Sequence, residues 1–308
     1  MRPRVTVMGG VQVDVVVTPV QELPPPGETL LVDAMGVRVG GAGANAALAL
    51  VDAGVRPRLL GCLGDDRLGH WMAEQLDVFG LAGDLHLQAG AATGLTVACE
   101  APGRDRTFLT FLGVNASWDG EMLPADAGKT ENLLVCDYFC APAMRGAPTR
   151  ELLGRARAAG ARTFFDTAWD PGGWDAGTRR EVLDVLPSVD VFLPNEAEAR
   201  SLTDEADAAV AARRLQKTSG GWVIVKLGAR GCLAAGPSGA ELAVAAEPVE
   251  VLDSTGAGDA FNAGLIAALA RGESWTVALG EATALAARIL ARPPDDRHLP
   301  PASGPLRT

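Results

Sequence analysis

The sequence predicts an α/β fold with a mostly parallel central sheet covered by helices on both faces. Three observations carry that expectation. From residue 133 onward, short apolar runs at 133–136, 162–165 and 189–193 alternate with helical patterns at 149–159 and 176–186. Such alternation builds right-handed βαβ units and a doubly covered sheet. A Gly-rich turn at 256–258 opens a strongly apolar helix, with Phe261, Leu265, Ala268 and Leu269 at helical spacing. Two alternating segments, 95–101 and 106–112, flank a Pro-Gly turn and read as a β-hairpin.

Composition narrows the function classes. The chain has 308 residues, 48% of them hydrophobic, enough for a large core, and reads as one domain over 1–308. A formal net charge of -11 argues against a nucleic-acid face. It does not exclude an anionic nucleotide, because a local cradle of N–H groups and a Mg2+ ion outweigh net charge. The cysteines (Cys62, Cys99, Cys136, Cys140 and Cys232) are scattered through apolar runs and read as core thiols in a reducing compartment. Arg2, Arg4 and the apolar run after them imitate a signal peptide, but Gln12 and Asp14 interrupt it and no small-residue cleavage site follows. No apolar stretch reaches the roughly 18 residues a membrane span needs. A cytoplasmic protein with no membrane or nucleic-acid partner is expected.

Taken in order, residues 5–8 read as a buried strand ended by Gly9-Gly10, and 11–17 continue the β pattern around Gln12 and Asp14. An acid in an apolar strand is costly unless it faces water at an edge or binds something. Pro24-Pro25-Pro26-Gly27 is a stiff turn, and 29–39 is β-prone again. Gly40 to Asn45 then opens a helix running to about residue 53. Gly41, Gly43 and Ala46, with Asp65 and Asp66 about 20 residues on, also fit a degenerate dinucleotide fingerprint. A nicotinamide-dependent oxidoreductase is therefore a rival, though it leaves 253–259 unexplained.

A strand at 58–63 leads through Gly64 to Gly69 into a helix near 70–79. Gly128-Lys129-Thr130 looks like the end of a Walker A loop, but Leu123 stands where that motif needs glycine. Asp166 and Asn195-Glu196-Ala197-Glu198 follow predicted strands, at the edge of a parallel sheet where ligands sit. Asn195 followed by acids is equally a sound helix N-cap. Lys226 ends an apolar strand (222–226) just before Gly228 and Gly231, where it either reaches a phosphate or snorkels. Residues 241–251 are β-prone, and 275–290 form a last helix.

The stretch Asp253-Ser254-Thr255-Gly256-Ala257-Gly258-Asp259 carries the chemistry. Glycines in the first helical turn leave backbone N–H groups of Gly256, Ala257 and Gly258 unshielded, and the helix dipole favours an anion there. Asp259 aims a carboxylate at the same spot. An anion hole beside a general base is what phosphoryl transfer to an alcohol requires.

The run D-S-T-G-A-G-D-A-F resembles the second signature of the ribokinase-like (PfkB) carbohydrate kinase family, and Gly40 to Ala47 resembles its first. The resemblance extends, in order, over nearly the whole chain. It implies a three-layer α/β/α fold with a small β-sheet lid, formed by about 12–38 and 92–114. It also implies ATP and Mg2+ as cofactors and transfer of the γ-phosphate to a primary hydroxyl, with Asp259 as base. The acceptor would lie against Asp14, Gly40, Gly41 and Asn45, with Asn115 and Arg106 from the hairpin region. ATP would lie along Lys226, Gly228, Gly231 and Gly258. Asn195 and Glu198 match the family's N-x-x-E motif, which organises water around Mg2+. Asp253 and Thr255 would hold K+, although the tail at 292–296 departs from the small-residue turn that completes this site in the family.

Few basic residues near the acceptor favour a neutral sugar. A nucleoside is the alternative, with Phe108 or Phe111 stacking its base. A sugar-binding protein without chemistry is the more distant reading. The family also implies dimerisation through the lid, whose β edges are otherwise open.

Overall fold

The computed structural model describes residues 2–101, 106–251 and 255–292. Its amino-terminal half contains β1 (Val5–Met8), β2 (Gln12–Thr18), β3 (Ala34–Gly40), α1 (Ala42–Asp52), β4 (Arg58–Gly64), α2 (Arg67–Asp77), β5 (Leu85–Gln88), β6 (Leu95–Cys99) and β7 (Thr107–Phe111). Then follow β8 (Asn132–Val135), α3 (Ala147–Ala158), β9 (Arg162–Phe165), α4 (Ala176–Val185), β10 (Val191–Phe192), α5 (Glu196–Thr203), α6 (Ala208–Ser219) and β11 (Trp222–Lys226). The chain closes with β12 (Cys232–Ala235), β13 (Glu241–Val244), α7 (Ala257–Ala270) and α8 (Trp275–Leu290).

The main sheet runs β13-β12-β11-β10-β9-β8-β1-β4-β5 among the described residues. It is parallel from β11 to β5, and β12 and β13 add an antiparallel edge. Side chains alternate along each strand and feed two cores. Val5, Val7, Phe164 and Ile224 pack with α1, α2, α7 and α8, whereas Met8, Phe165, Val223 and Val225 pack with α3 to α6. The three predicted layers are thus present. A second sheet, β3-β2-β6-β7, forms the lid.

The register of the lid decides which residues share a face. Asp14, Arg38, Thr96 and Thr110 stand directly across from one another, so they share one face. Val15, Val37, Val97 and Leu109 form the next row, on the opposite face. By the same alternation Phe108 lies on the face of Asp14 and Phe111 on the other.

Several expectations shift. The β-prone segment 29–39 yields only β3, because no strand partner is available before Ala34. The strand expected to run to 251 ends at Val244, where its ladder with β12 stops. Strand β5 is too short and too exposed to leave an alternation signal. The Walker-like Gly128-Lys129-Thr130 is structural: Thr130 is buried and donates to the Asn132 carbonyl at 3.0 Å.

Helix α7 is buried on nearly every side, from Ala260 to Leu269. It is held against α8 at Gly264, where a Cβ would stand 2.8 Å from the Ala282 Cα. Backbone cannot yield as a side-chain tip can. Gly264→Val should therefore destabilise the fold by about 1–3 kcal/mol, read as a lower urea midpoint at unchanged slope.

Candidate active site

The carboxyl ends of the parallel strands lie along one edge, where Asp137, Asp166, Asn195 and Lys226 follow or end β8, β9, β10 and β11. After β1, Gly9 and Gly10 let α1 approach. The Gly10 carbonyl accepts from Gly43 N (3.0 Å) and Ala44 N (3.3 Å), and Ala42 N donates to the Asp137 carboxylate at 2.7 Å. Those N–H groups are therefore occupied. A pyrophosphate needs them free, so the dinucleotide reading fails here. Its second element fails too: Asp66 caps α2 through Gly69 N (2.7 Å) and holds Thr93 N (2.8 Å).

On the acceptor side, Asp14 is buried and lies under Gly40, where any Cβ would strike its carboxylate. Gly41 has φ +86 and no room for a side chain beside the Gly10 carbonyl. Asp14, Arg38, Asn45, Trp71, Thr255 and Gly256 line a cavity of about 240 Å³. Arg38 reaches across it from the lid to donate to the Thr255 hydroxyl at 3.3 Å.

Asp259 stands at the first turn of α7, half-buried, and accepts from Asn45 Nδ2 at 3.2 Å. Its pKa is pushed up to about 8 by burial first, then by Asp137 and Asp166, against the pull of Lys226 and the Asn45 bond. Gly256 caps the helix in the left-handed region (φ 74) without a side-chain bond, and no described residue accepts from the N–H of Gly256, Ala257 or Gly258. Those three N–H groups are unpaired among the described residues. Lys226 closes that turn from the other side: a Cβ on Gly258 would stand 3.3 Å from the Lys226 Nζ.

Asn195 and Glu198 form a full capping box at the start of α5, with Asn195 Nδ2 donating to Glu198 at 2.6 Å. Burial, and then Asp166, raise the Glu198 pKa, opposed by Lys226 and the Asn195 N–H. Among the described residues no three acidic, His or Cys side chains gather as a metal site. Gly228 (φ 60) and Gly231 (φ 87) make the tight turn after Lys226, and a Cβ on Gly231 would run into the Val244 carbonyl.

Two expected acceptor residues are elsewhere. Arg106 pairs with Glu100 at 2.7 Å, about four residues and roughly 13 Å along the lid from the level of Asp14. Asn115 has no exposed surface and points its amide at the Val11 carbonyl (3.5 Å), tying the end of the hairpin to β2. Asp253 lies outside the described residues, so the K+ expectation has only Thr255 within them. In their place the structure supplies Asp137, in the left-handed region (φ 57) after β8, and the Asp166–Asn262 pair (2.6 Å). An acid directly after a buried apolar strand was the only signal for the two aspartates, and Asn262 left none.

A family model described as "pfkB family carbohydrate kinase" matches residues 2–297. The chain belongs to this family. As a pfkB-family protein it is a phosphotransferase of the carbohydrate-kinase type, similar to sugar and nucleoside kinases. Fructokinase from Vibrio alginolyticus is 30% identical over 241 residues, 77% of this chain and 78% of that protein. Ribokinase from Haemophilus influenzae is 26% identical over 297 residues, 92% of each. Aminoimidazole riboside kinase from Salmonella typhimurium is 29% identical over 261 residues, 78% of this chain and 76% of that protein. The structure of a putative ribokinase II from E. coli, in complex with ATP and Mg2+, superposes with a TM-score of 0.82 at 21% identity, covering 96% of both chains. That likeness establishes the ribokinase-like fold. No helix among the described residues is long and apolar enough to cross a membrane.

The raised Asp259 pKa makes the pfkB site a drain on stability. Below the ordinary value of 3.8 the carboxyl is protonated folded or unfolded, and folding pays nothing for it. As pH rises toward about 8, the unfolded chain releases a proton that the folded chain keeps, so stability falls across that window. Asp259→Asn removes the effect. Its melting temperature should exceed that of wild type by a few degrees at pH 9 and match it near pH 4, on the scale of about 2–4 °C per kcal/mol.

Proposed function

We propose that this kinase transfers the γ-phosphoryl group of ATP to a primary hydroxyl of a small neutral sugar, with Asp259 as general base. The observation that carries the reading is one arrangement: the Asp259 carboxylate, in the first turn of α7 beside the uncapped Gly256 to Gly258, accepts from Asn45, which lines one cavity with Asp14 and Gly256. Sugar hydroxyls would bond Asp14 and Asn45 while the lid face carrying Arg38 and Thr96 covers them. Asp259 takes the proton as the hydroxyl oxygen attacks phosphorus, and the bond to the ADP oxygen breaks in line. The cradle N–H groups and the Lys226 ammonium face the charge that spreads onto the transferring oxygens.

Nucleotide would lie along the turn from Lys226 to Gly231. Mg2+ would neutralise its phosphates, with Glu198 and Asn195 reaching it through water. This fits a donor set with one carboxylate already engaged in a cap, since Mg2+ keeps most of its ligands as water and phosphate oxygens. The free thiols favour the cytoplasm, where ATP is available. A K+ at Thr255 is tested simply by running the assay with and without it.

A nucleoside acceptor is the second reading. Trp71 and Phe79 in the cavity wall, and Phe108 on the Asp14 face of the lid, give a base somewhere to stack. A homodimer through the lid is proposed for the opposite face, where Met35, Leu109 and Phe111 are all more than half exposed. Leu109→Asp should turn a dimer into a monomer in light scattering; a wild type that is already monomeric removes the proposal.

The deciding experiment is ADP release with MgATP against neutral sugars, sugar acids and nucleosides. Asp259→Asn should lose about 10²–10⁴-fold in turnover while still binding ATP. Because the base must be deprotonated, kcat/KM for the acceptor should climb with pH and level off above about 8. Full activity in Asp259→Asn would sink the mechanism.

A further inference from the structure

The carboxyl edge of the sheet holds a second constellation, which the proposed chemistry does not by itself require. One oxygen of Asp166, at the end of β9, accepts from the Lys226 ammonium at 2.5 Å and from Asn262 Nδ2 at 2.6 Å. Asp166 and Asn262 are buried, and Lys226 is nearly so. Three elements meet on that oxygen: β9, β11 and α7. The ammonium it holds stands beside Gly258, at the mouth of the cradle.

We infer that Asp166, clamped by Asn262, is a positioning residue that holds the Lys226 ammonium over the α7 N-terminus, so that the site recognises the terminal phosphoryl group of the nucleotide. The inference rests on the kinase reading above and adds the device that separates ATP from ADP. Its physical basis is the flexibility of lysine. A four-carbon stem has many rotamers, and an unheld ammonium would spread over several positions. A carboxylate fixed from behind by α7 removes that freedom before the nucleotide arrives, which is preorganisation.

A purely structural ion pair is the competing account, and it is weak on energetic grounds. Buried pairs contribute little net stability, since an apolar pair of the same size does as well. This one is aimed at an open helix N-terminus instead of at the core. Charge supports the same conclusion. Burial alone would lower the lysine pKa, and Asp166 and Glu198 more than offset it, so the ammonium stays charged. The groups facing the site are Asp137 after β8, Asp166 after β9, Glu198 on α5, Lys226 on β11, and Asn45 and Asp259 on the helices. Lys226 is the cation among them, and Arg38 reaches the Thr255 hydroxyl from the lid side.

The test is MgATP and MgADP binding by calorimetry, which reads the clamp even if no acceptor is found. Lys226→Met and Asp166→Asn should each weaken MgATP about tenfold, leave MgADP within about twofold, and combine to no more than the larger single effect. Among active proteins the pH profile adds a readout that a structural role would not move. Asp166→Asn should shift the rise of kcat/KM to lower pH and Lys226→Met to higher pH, because one raises and the other lowers the proton affinity of Asp259. Tighter ATP binding in Asp166→Asn would mean that the acid merely repels phosphate. That outcome, unchanged binding, equal loss of ATP and ADP, or fully multiplicative effects would each overturn the inference. If Asp166→Asn does not fold, Asn262→Ala reads the same clamp: a smaller loss confined to ATP supports it, and unaltered ATP affinity overturns it. Loss of turnover in Asp259→Asn with normal ATP binding tests the kinase reading separately.

Discussion

The amino terminus of α7 has to stay open, and that requirement shapes the rest of the molecule. Helices α2, α4, α5, α6 and α8 begin with an Asp, Asn or Ser side chain that accepts from their first turn. Such a cap contributes about 1 kcal/mol. Helix α7 begins with Gly256 and, like α1 at Gly41 and α3 at Gly146, has none. A capping side chain would occupy the N–H groups that an anion is to use. The helix must therefore be held by packing, and its burial between the sheet, α1 and α8 does that. Small residues on α7 and α8 follow from the same need, since two backbones this close leave no room at Gly264.

Electrostatics imposes a second constraint. Asp166, Glu198 and Asp259 bear on one ammonium, and the Asp166 charge raises the proton affinity of Asp137, Glu198 and Asp259. A fold selected for stability alone would replace most of them. Their presence at the site edge, with Lys226 among them, is the pattern of a centre built for charge that arrives with its ligands. The nucleotide brings phosphates and a divalent cation together. The site's surplus of negative charge suits the cation, while the cradle and lysine suit the phosphates. Each half of the incoming ion pair thus finds its own counterpart.

Local signals in the sequence were legible, and long-range ones were not. The α7 turn could be read because glycines, a hydroxyl residue and an acid sit beside a 3.6-residue apolar repeat. Asn195 and Glu198 lie three residues apart, which is why the capping box was readable as a cap whatever its further role. Strands 162–165 and 222–226 and helix 275–290 fall where periodicity puts them. Asp166, by contrast, meets Lys226 across 60 residues and Asn262 across 96. Nothing local marks such a meeting. Arg106 erred in the opposite direction: its charge near the hairpin suggested a ligand, and the nearer Glu100 took it.

The same distinction explains why the family was readable and the acceptor was not. The phosphoryl-transfer centre is drawn from short motifs, each fixed by backbone geometry that only certain residues tolerate. The acceptor cavity is assembled from side chains of β2, β3, α1, α2, α7 and α8. No backbone constraint specifies them. A substitution at Trp71 or Phe79 would alter the shape of that cavity without disturbing the cradle. In the lid, period-two alternation puts Thr96 and Thr110 on the face of Asp14 and Leu109 and Phe111 on the other. On the proposed mechanism the chemistry rests on a few positions fixed by backbone geometry, and acceptor choice rests on side chains that backbone geometry does not fix.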